Sequence, residues 1–142
     1  MSKKGIQNIT IESFKKFGSV LEFSLGYDKA FEIITRETEG GWRLAVFRYK
    51  SKTVKVIENH PESMESFEPL CGVTLLVVAE NHDPEAFEVF LLDKPICLHK
   101  GIWHQVIALS EEAQVKITEN NEVGSVFYEF KNELALAVAG GN

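Results

Sequence analysis

Beyond residue 18 the chain reads as a series of short runs in which apolar, β-branched and aromatic residues interleave with polar ones. "SVLEFS", "AFEIITRE", "WRLAVFRYK", "TVKVIEN", "VTLLVVAE", "AFEVFLL", "HQVIAL", "AQVKITE" and "SVFYEF" are about six to nine residues long. Turn residues such as Gly40-Gly41, Pro69, Gly72, Asp83-Pro84, Pro95 and Gly124 separate them. Each run has strand character, and many short strands in succession predict an all-β sandwich or barrel. One helix start stands out. "NITIESFKKFG" offers Thr10 as a cap, sets Ile11, Phe14 and Phe17 near one face, and meets Gly18 as a stop. The tail "AVAGGN" is expected to fray or to be held by a partner subunit.

The alternation also assigns faces. In "TVKVIENH" the row Val54, Val56, Glu58, His60 opposes Lys55, Ile57, Asn59. A row that ends in Glu and His suits a barrel with a polar-mouthed cavity, because a closed apolar core penalises unpaired ionisable groups. In "WHQVIAL" the row His104, Val106, Ala108 opposes Trp103, Gln105, Ile107, Leu109.

Composition narrows the function classes. With 142 residues, one domain spanning 1–142 is expected, large enough for a proper core. A net charge of -6 and the lack of a basic tract argue against a nucleic-acid partner. "MSKKG" is followed by "IQNITIESF", which has no continuous apolar run, so no signal peptide or membrane span is expected and a cytoplasmic location follows. Cys71 and Cys97 lack a disulfide framework or metal-ligand spacing and read as reduced, packed thiols.

Two stretches carry candidate chemistry, "ENHPESMESFEPLCG" and "HKGIWH". His-Pro, then an acidic residue and a strand ending in Gly, followed later by Gly-x-x-His, resembles the cupin superfamily in degenerate form. Within it, "ESFKKFGSVLE", "IENHPESMESFEPL", "VTLLVVAE" and "GIWHQVIAL", in this order from about Ile9 to Phe130, resemble the ureidoglycolate lyase family of allantoin degradation. The resemblance implies a cupin-like β-barrel, a double-stranded β-helix with one short N-terminal helix. It also implies a lyase that splits a carbinolamide acid into glyoxylate and urea, or a paralogue acting on a related small acid. A cupin that binds a small polar metabolite or sugar without this activity is the alternative, and a barrel serving as an assembly module is a third reading.

On this resemblance His104 and Glu65 are the expected proton-transfer pair, with burial and mutual charge moving both toward neutrality. His60, Glu58, Trp103 and Lys100 are candidate substrate-binding residues. His60, Glu65 and His104 together suit a divalent transition metal with open positions. The family usually has Arg at Asn59, Gln at Glu65, a second His or similar residue at Gln105, and Asp-Arg where this chain has Thr118-Glu119. Each residue also has a plainer reading. His60 can be a turn residue before Pro61, Glu65 part of a solvated acidic loop with Glu62 and Glu68, His104 a buried, satisfied imidazole, and Trp103 core or dimer contact. His99 can merely bond to its own turn. Lys55 and Arg48 are weaker candidates for holding an anion, and His82 reads as a loop residue. A homodimer is expected, because "AFEIITRE" and "SVFYEF" offer apolar side chains on both faces.

Overall fold

A computed structural model describes residues 3–138. Its strands are β1 (Ile6–Asn8), β2 (Gly18–Val20), β3 (Trp42–Tyr49), β4 (Thr53–Asn59), β5 (Glu65–Cys71), β6 (Thr74–Ala79), β7 (Glu88–Leu91), β8 (Ile96–Leu98), β9 (Trp103–Ala108), β10 (Ala113–Asn120) and β11 (Val126–Ala135), with one helical turn, α1 (Ile11–Phe14). One sheet has the order β1-β7-β6-β9-β4-β11 and the other β2-β8-β5-β10-β3. Among the described strands, only β1 and β7 pair in parallel. From β3 to β11 the chain crosses repeatedly between the sheets, the winding of a double-stranded β-helix, so the molecule is a cupin-like all-β barrel as expected.

Between the sheets lies a core that includes Phe14, Phe17, Phe67, Leu76, Val78, Phe90, Val106, Ala108, Val115 and Ile117. A second apolar cluster, with Val54, Ile57, Leu75, Val77, Trp103, Ile107 and Phe130, covers the other face of the six-stranded sheet. The all-buried β6 is thus explained: it is covered on both sides. β9 follows its alternation, with Val106 and Ala108 in the inner core and Trp103 and Ile107 in the outer cluster. In β4 the alternation slips. Val54 and Ile57 share the outer cluster opposite a register shift in β11 between Glu129 and Leu134, so Val54 leaves the row that ends in Glu58 and His60.

Thr10 caps α1 through a reciprocal pair, its Oγ1 accepting from Ser13 N and its N–H donating to Ser13 Oγ, both at 2.9 Å. Phe14 and Phe17 pack edge-on against Phe90 with ring centroids 5.1 and 5.7 Å away. Ile11 is exposed, and Ile9 takes the buried place instead.

Other segments depart from the sequence reading. "AFEIITRE" is not a strand. It finds no ladder partner among the described residues and borders, with residues 21–23, a cavity of about 660 Å³ against Ser66, Cys97 and Thr118, leaving Phe31 and Ile33 exposed. "SVLEFS" keeps the ladder only to Val20. β5 occupies what reads as an acidic loop: Glu65 and Phe67 face inward, and the register shift opposite Pro69 accommodates a residue that cannot donate to a ladder. Cys97 is buried, its thiol pushed up to about 11 mainly by that burial, but Cys71 is exposed rather than packed. Of the tail, residues 139–142 lie outside the described residues.

Candidate functional site

One end of the barrel collects the polar residues that the inner rows carry. Glu58 on β4 and His104 on β9 are ladder partners, and Glu65 stands on β5 in the facing sheet. His60 follows β4 directly, and its carbonyl accepts from the Gly101 N–H at 3.0 Å, which ties the two sequence motifs together. Gly101 makes this turn with φ of +78°, a conformation that suits glycine.

The cluster centres on one carboxylate oxygen. Glu65 Oε1 lies 2.8 Å from His104 Nε2 and 3.1 Å from His60 Nε2, and all three residues are buried. The two rings sit 5.0 Å apart between centroids. His104 Nδ1 lies 2.9 Å from the Ile102 carbonyl, and His60 Nδ1 lies 3.2 Å from the Gly124 carbonyl and 3.1 Å from Ser125 Oγ. A carbonyl can only accept, so these contacts place the hydrogen of each neutral ring on Nδ1 and leave both Nε2 lone pairs aimed at the carboxylate. Three acceptors then converge. Glu65 Oε1 and His104 Nε2 meet without hydrogen-bond alignment. Such an arrangement calls for imidazolium protons or a cation.

The electrostatics follow. Burial opposes ionisation of Glu65, but hydrogen bonds from His104 and His60 outweigh it and hold the carboxyl at about 2. This corrects the expectation that Glu65 moves toward neutrality: two imidazoles on one oxygen stabilise its charge more than burial penalises it. His60 is likewise pulled down by burial but raised above its ordinary value overall by Glu65, Gly124 and Glu58.

Glu58 reaches to 3.9 Å from His104 Nε2 and joins the cluster. Trp103 does not. It faces the outer apolar cluster on the opposite side of β9 and donates its indole N–H to the Asn81 carbonyl at 3.1 Å. Lys100 pairs with Glu37 at 3.0 Å, and His99 is exposed beside Lys15. Glu119 on β10, absent from the sequence candidates, offers a ligand atom within 4.8 Å of those of His60 and Glu65. Its signal lay in "AQVKITE", where Val115, Ile117 and Glu119 form a row ending in an acid, just as β4 does. Glu58, His60 and His104 form a second such group, so the cluster has the donor types and spacing for a divalent transition metal.

Curated relatives match the chain at modest identity. A ureidoglycolate lyase of Pseudomonas savastanoi pv. phaseolicola is 23% identical over 134 residues, covering 79% of each chain. One from Pseudomonas putida KT2440 is 26% identical over 129 residues, covering 75% of this chain and 77% of that protein. A solved structure of oxalate decarboxylase overlays with a TM-score of 0.45 at 12% identity; this chain spans 24% of it, a likeness too loose to bear on the site. The ureidoglycolate lyase family profile matches residues 2–131, and the chain belongs to that family.

Proposed function

We propose that the protein is a ureidoglycolate lyase-type enzyme, a single domain that cleaves a small carbinolamide acid to glyoxylate and urea at the cluster of His104, Glu65 and His60. The observation that carries this reading is the single carboxylate oxygen shared by two buried imidazole Nε2 atoms in a chain of this family. The cleavage needs a base for the substrate hydroxyl and an acid for the departing nitrogen. His104 Nε2, with its Nδ1–H held by the Ile102 carbonyl, takes the hydroxyl proton. The electron pair of that O–H bond becomes the second bond of the aldehyde carbonyl. The carbon–nitrogen bond breaks, and its pair leaves with the urea nitrogen, which takes a proton from His60. Glu65 stays ionised and stabilises whichever imidazole bears the proton, and Glu58 helps to orient the substrate.

His60, Glu65 and His104, with Glu58 or Glu119 nearby, are the residues that would hold a divalent transition metal. Bound there, such an ion supplies Lewis-acid polarisation of a carbonyl or carboxylate oxygen. A homodimer belongs to the same proposal, because Trp42, Leu44 and Val46 form an exposed apolar row on the outer face of β3. So does a cytoplasmic location; no described helix is long and apolar enough to cross a membrane.

The crowding of Glu58, Glu65 and Glu119 favours a second reading, a cupin that binds a small polar molecule without lyase chemistry. Steady-state release of urea and glyoxylate from racemic ureidoglycolate, with metal-free and metal-supplemented protein, separates the two. Release under either condition is the expected result, and its absence under both would leave only the binding reading.

A further inference from the structure

The five-stranded sheet brings a row of charges to the same end of the barrel as the imidazoles. Arg43 on β3 is the ladder partner of Glu119 on β10, and Glu119 is the partner of Glu65 on β5. Ladder partners project to one face. Two and four residues along, Ala45 pairs with Ile117 and Phe47 with Val115, and Ile117 and Val115 belong to the inner core with Ala45 packed against it. Arg43 therefore turns to the inner face, beside the cluster.

Its guanidinium is held from one side. Nε and Nη2 donate to Glu119 Oε2 at 2.8 and 2.6 Å, and the Glu119 side chain is only 9% exposed. A guanidinium carries five N–H donors in a planar fork, so these two bonds leave an edge available, and the Arg43 side chain is 48% exposed. The other cationic candidates are placed elsewhere. Lys100 is paired with Glu37, Arg48 with Glu112 and Lys55 with Glu129. An anion entering beside Glu58, Glu65 and Glu119 meets three carboxylates and needs a fixed positive group to offset them. A guanidinium pinned by one carboxylate, with a free edge for another, has the geometry for bidentate carboxylate capture.

We propose that Arg43, fixed by Glu119, is the receptor for the carboxylate of a small acid at this site; the identity of that acid as a carbinolamide rests on the lyase reading above. The test uses oxamate as the carboxylate probe and uncharged oxamide as its control, each titrated calorimetrically into full-length protein. Wild-type protein is expected to bind oxamate well above oxamide. Arg43→Gln should lose roughly tenfold to a hundredfold in oxamate affinity, as expected for charge-assisted hydrogen bonds, with oxamide affinity unchanged. Arg43→Lys, which keeps the charge but not the fork, should fall between, and it serves if the glutamine variant does not fold. On ureidoglycolate the same variants should raise KM more than they lower kcat. An arginine that merely neutralises Glu119 would move the melting temperature and leave oxamate affinity at the wild-type level; that result, or equal binding of oxamate and oxamide by wild type, overturns the proposal. Arg43-dependent oxamate binding without urea release would retain the receptor and reject the lyase, whereas urea release with unchanged oxamate affinity and KM in both variants would do the reverse.

Discussion

Replacing Glu65 by Gln removes the charge at the centre of the cluster while nearly preserving its size. In the native protein Glu65 is buried and its carboxyl is held at about 2, against an ordinary 4.5, by His104 and His60 acting against burial. A depressed carboxyl stabilises the fold above its unfolded pKa and loses that contribution as pH falls through its folded pKa. The window is therefore pH 4.5 down to about 2, and a shift of that size corresponds to on the order of 3 kcal/mol. His60 has the opposite sign. Its raised pKa stabilises the fold below pH 6.5, and that contribution is lost as pH rises through the folded value. In Glu65→Gln, burial is left as the largest influence on His60, so its pKa should drop below 6.5. Urea unfolding followed by tryptophan fluorescence should show the stability gap between wild type and variant shrinking as pH falls below 4.5. NMR titration of the His60 ring should show the downward shift directly. Turnover should fall about a hundredfold, although the orienting hydrogen bonds survive. A His60 titration unmoved by the substitution, or a stability gap constant from pH 5 to pH 3, would refute the electrostatic account of the cluster.

His104→Asn should lower turnover about a hundredfold or more with ligand affinity less affected; unchanged turnover and an unchanged melting temperature would remove His104 from the chemistry. Equilibrium dialysis with nickel, manganese or zinc should show binding that weakens on replacing His60, Glu65 or His104, and that also weakens as pH falls through the raised His60 pKa, since a ligating imidazole must be neutral; an ion held equally well by all three variants would exclude this site. Gly101→Ala should cost about 1 to 3 kcal/mol in urea unfolding, because φ of +78° strains an L-residue and the new Cβ would lie 3.3 Å from Asn81 Nδ2; an unchanged midpoint would mean that the turn relaxes. Sedimentation at micromolar concentration should give a dimer, and a 16.0 kDa monomer would remove that proposal.

What local pattern could reveal in this sequence, it did. The Thr10 cap is a reciprocal side-chain and backbone pair within four residues, and the two faces of β9 follow from alternation alone. The inward row of β4 reads correctly at Glu58 and His60, where pairing with β9 and β11 is regular, and fails at Val54, where β11 carries extra residues that nothing in β4 announces. β5 was hidden because its inward row opens with a glutamate and contains a proline, neither a strand former; its partners on β10 and β8 give it order. "AFEIITRE" failed for the converse reason. It has strand composition but no ladder partner, and composition alone does not supply hydrogen bonds. Arg43 and Glu119 escaped because their meaning lies in a register between strands 76 residues apart. The rows Arg43, Ala45, Phe47, Tyr49 and Val115, Ile117, Glu119 each end in a charge, but only the pairing shows that the charges meet.

The same register also sets the electrostatic demand of the site. Glu65 and Glu119 are ladder partners on the inner face, so two carboxylates stand side by side there. Carboxylates directly opposite one another in a ladder repel, and burial amplifies the repulsion. The protein answers with His60 and His104 on Glu65 and Arg43 on Glu119. Two of these three compensating groups are imidazoles, so the compensation depends on pH or on a bound cation, whereas arginine would have fixed it at any pH. An acidic ligand should therefore be accepted most readily while His60 is protonated or a cation occupies the point where the three acceptors converge, and its affinity should decline as pH rises through the His60 pKa in metal-free protein. The same residues that make the cluster a good place for a cation make an acid substrate dependent on one.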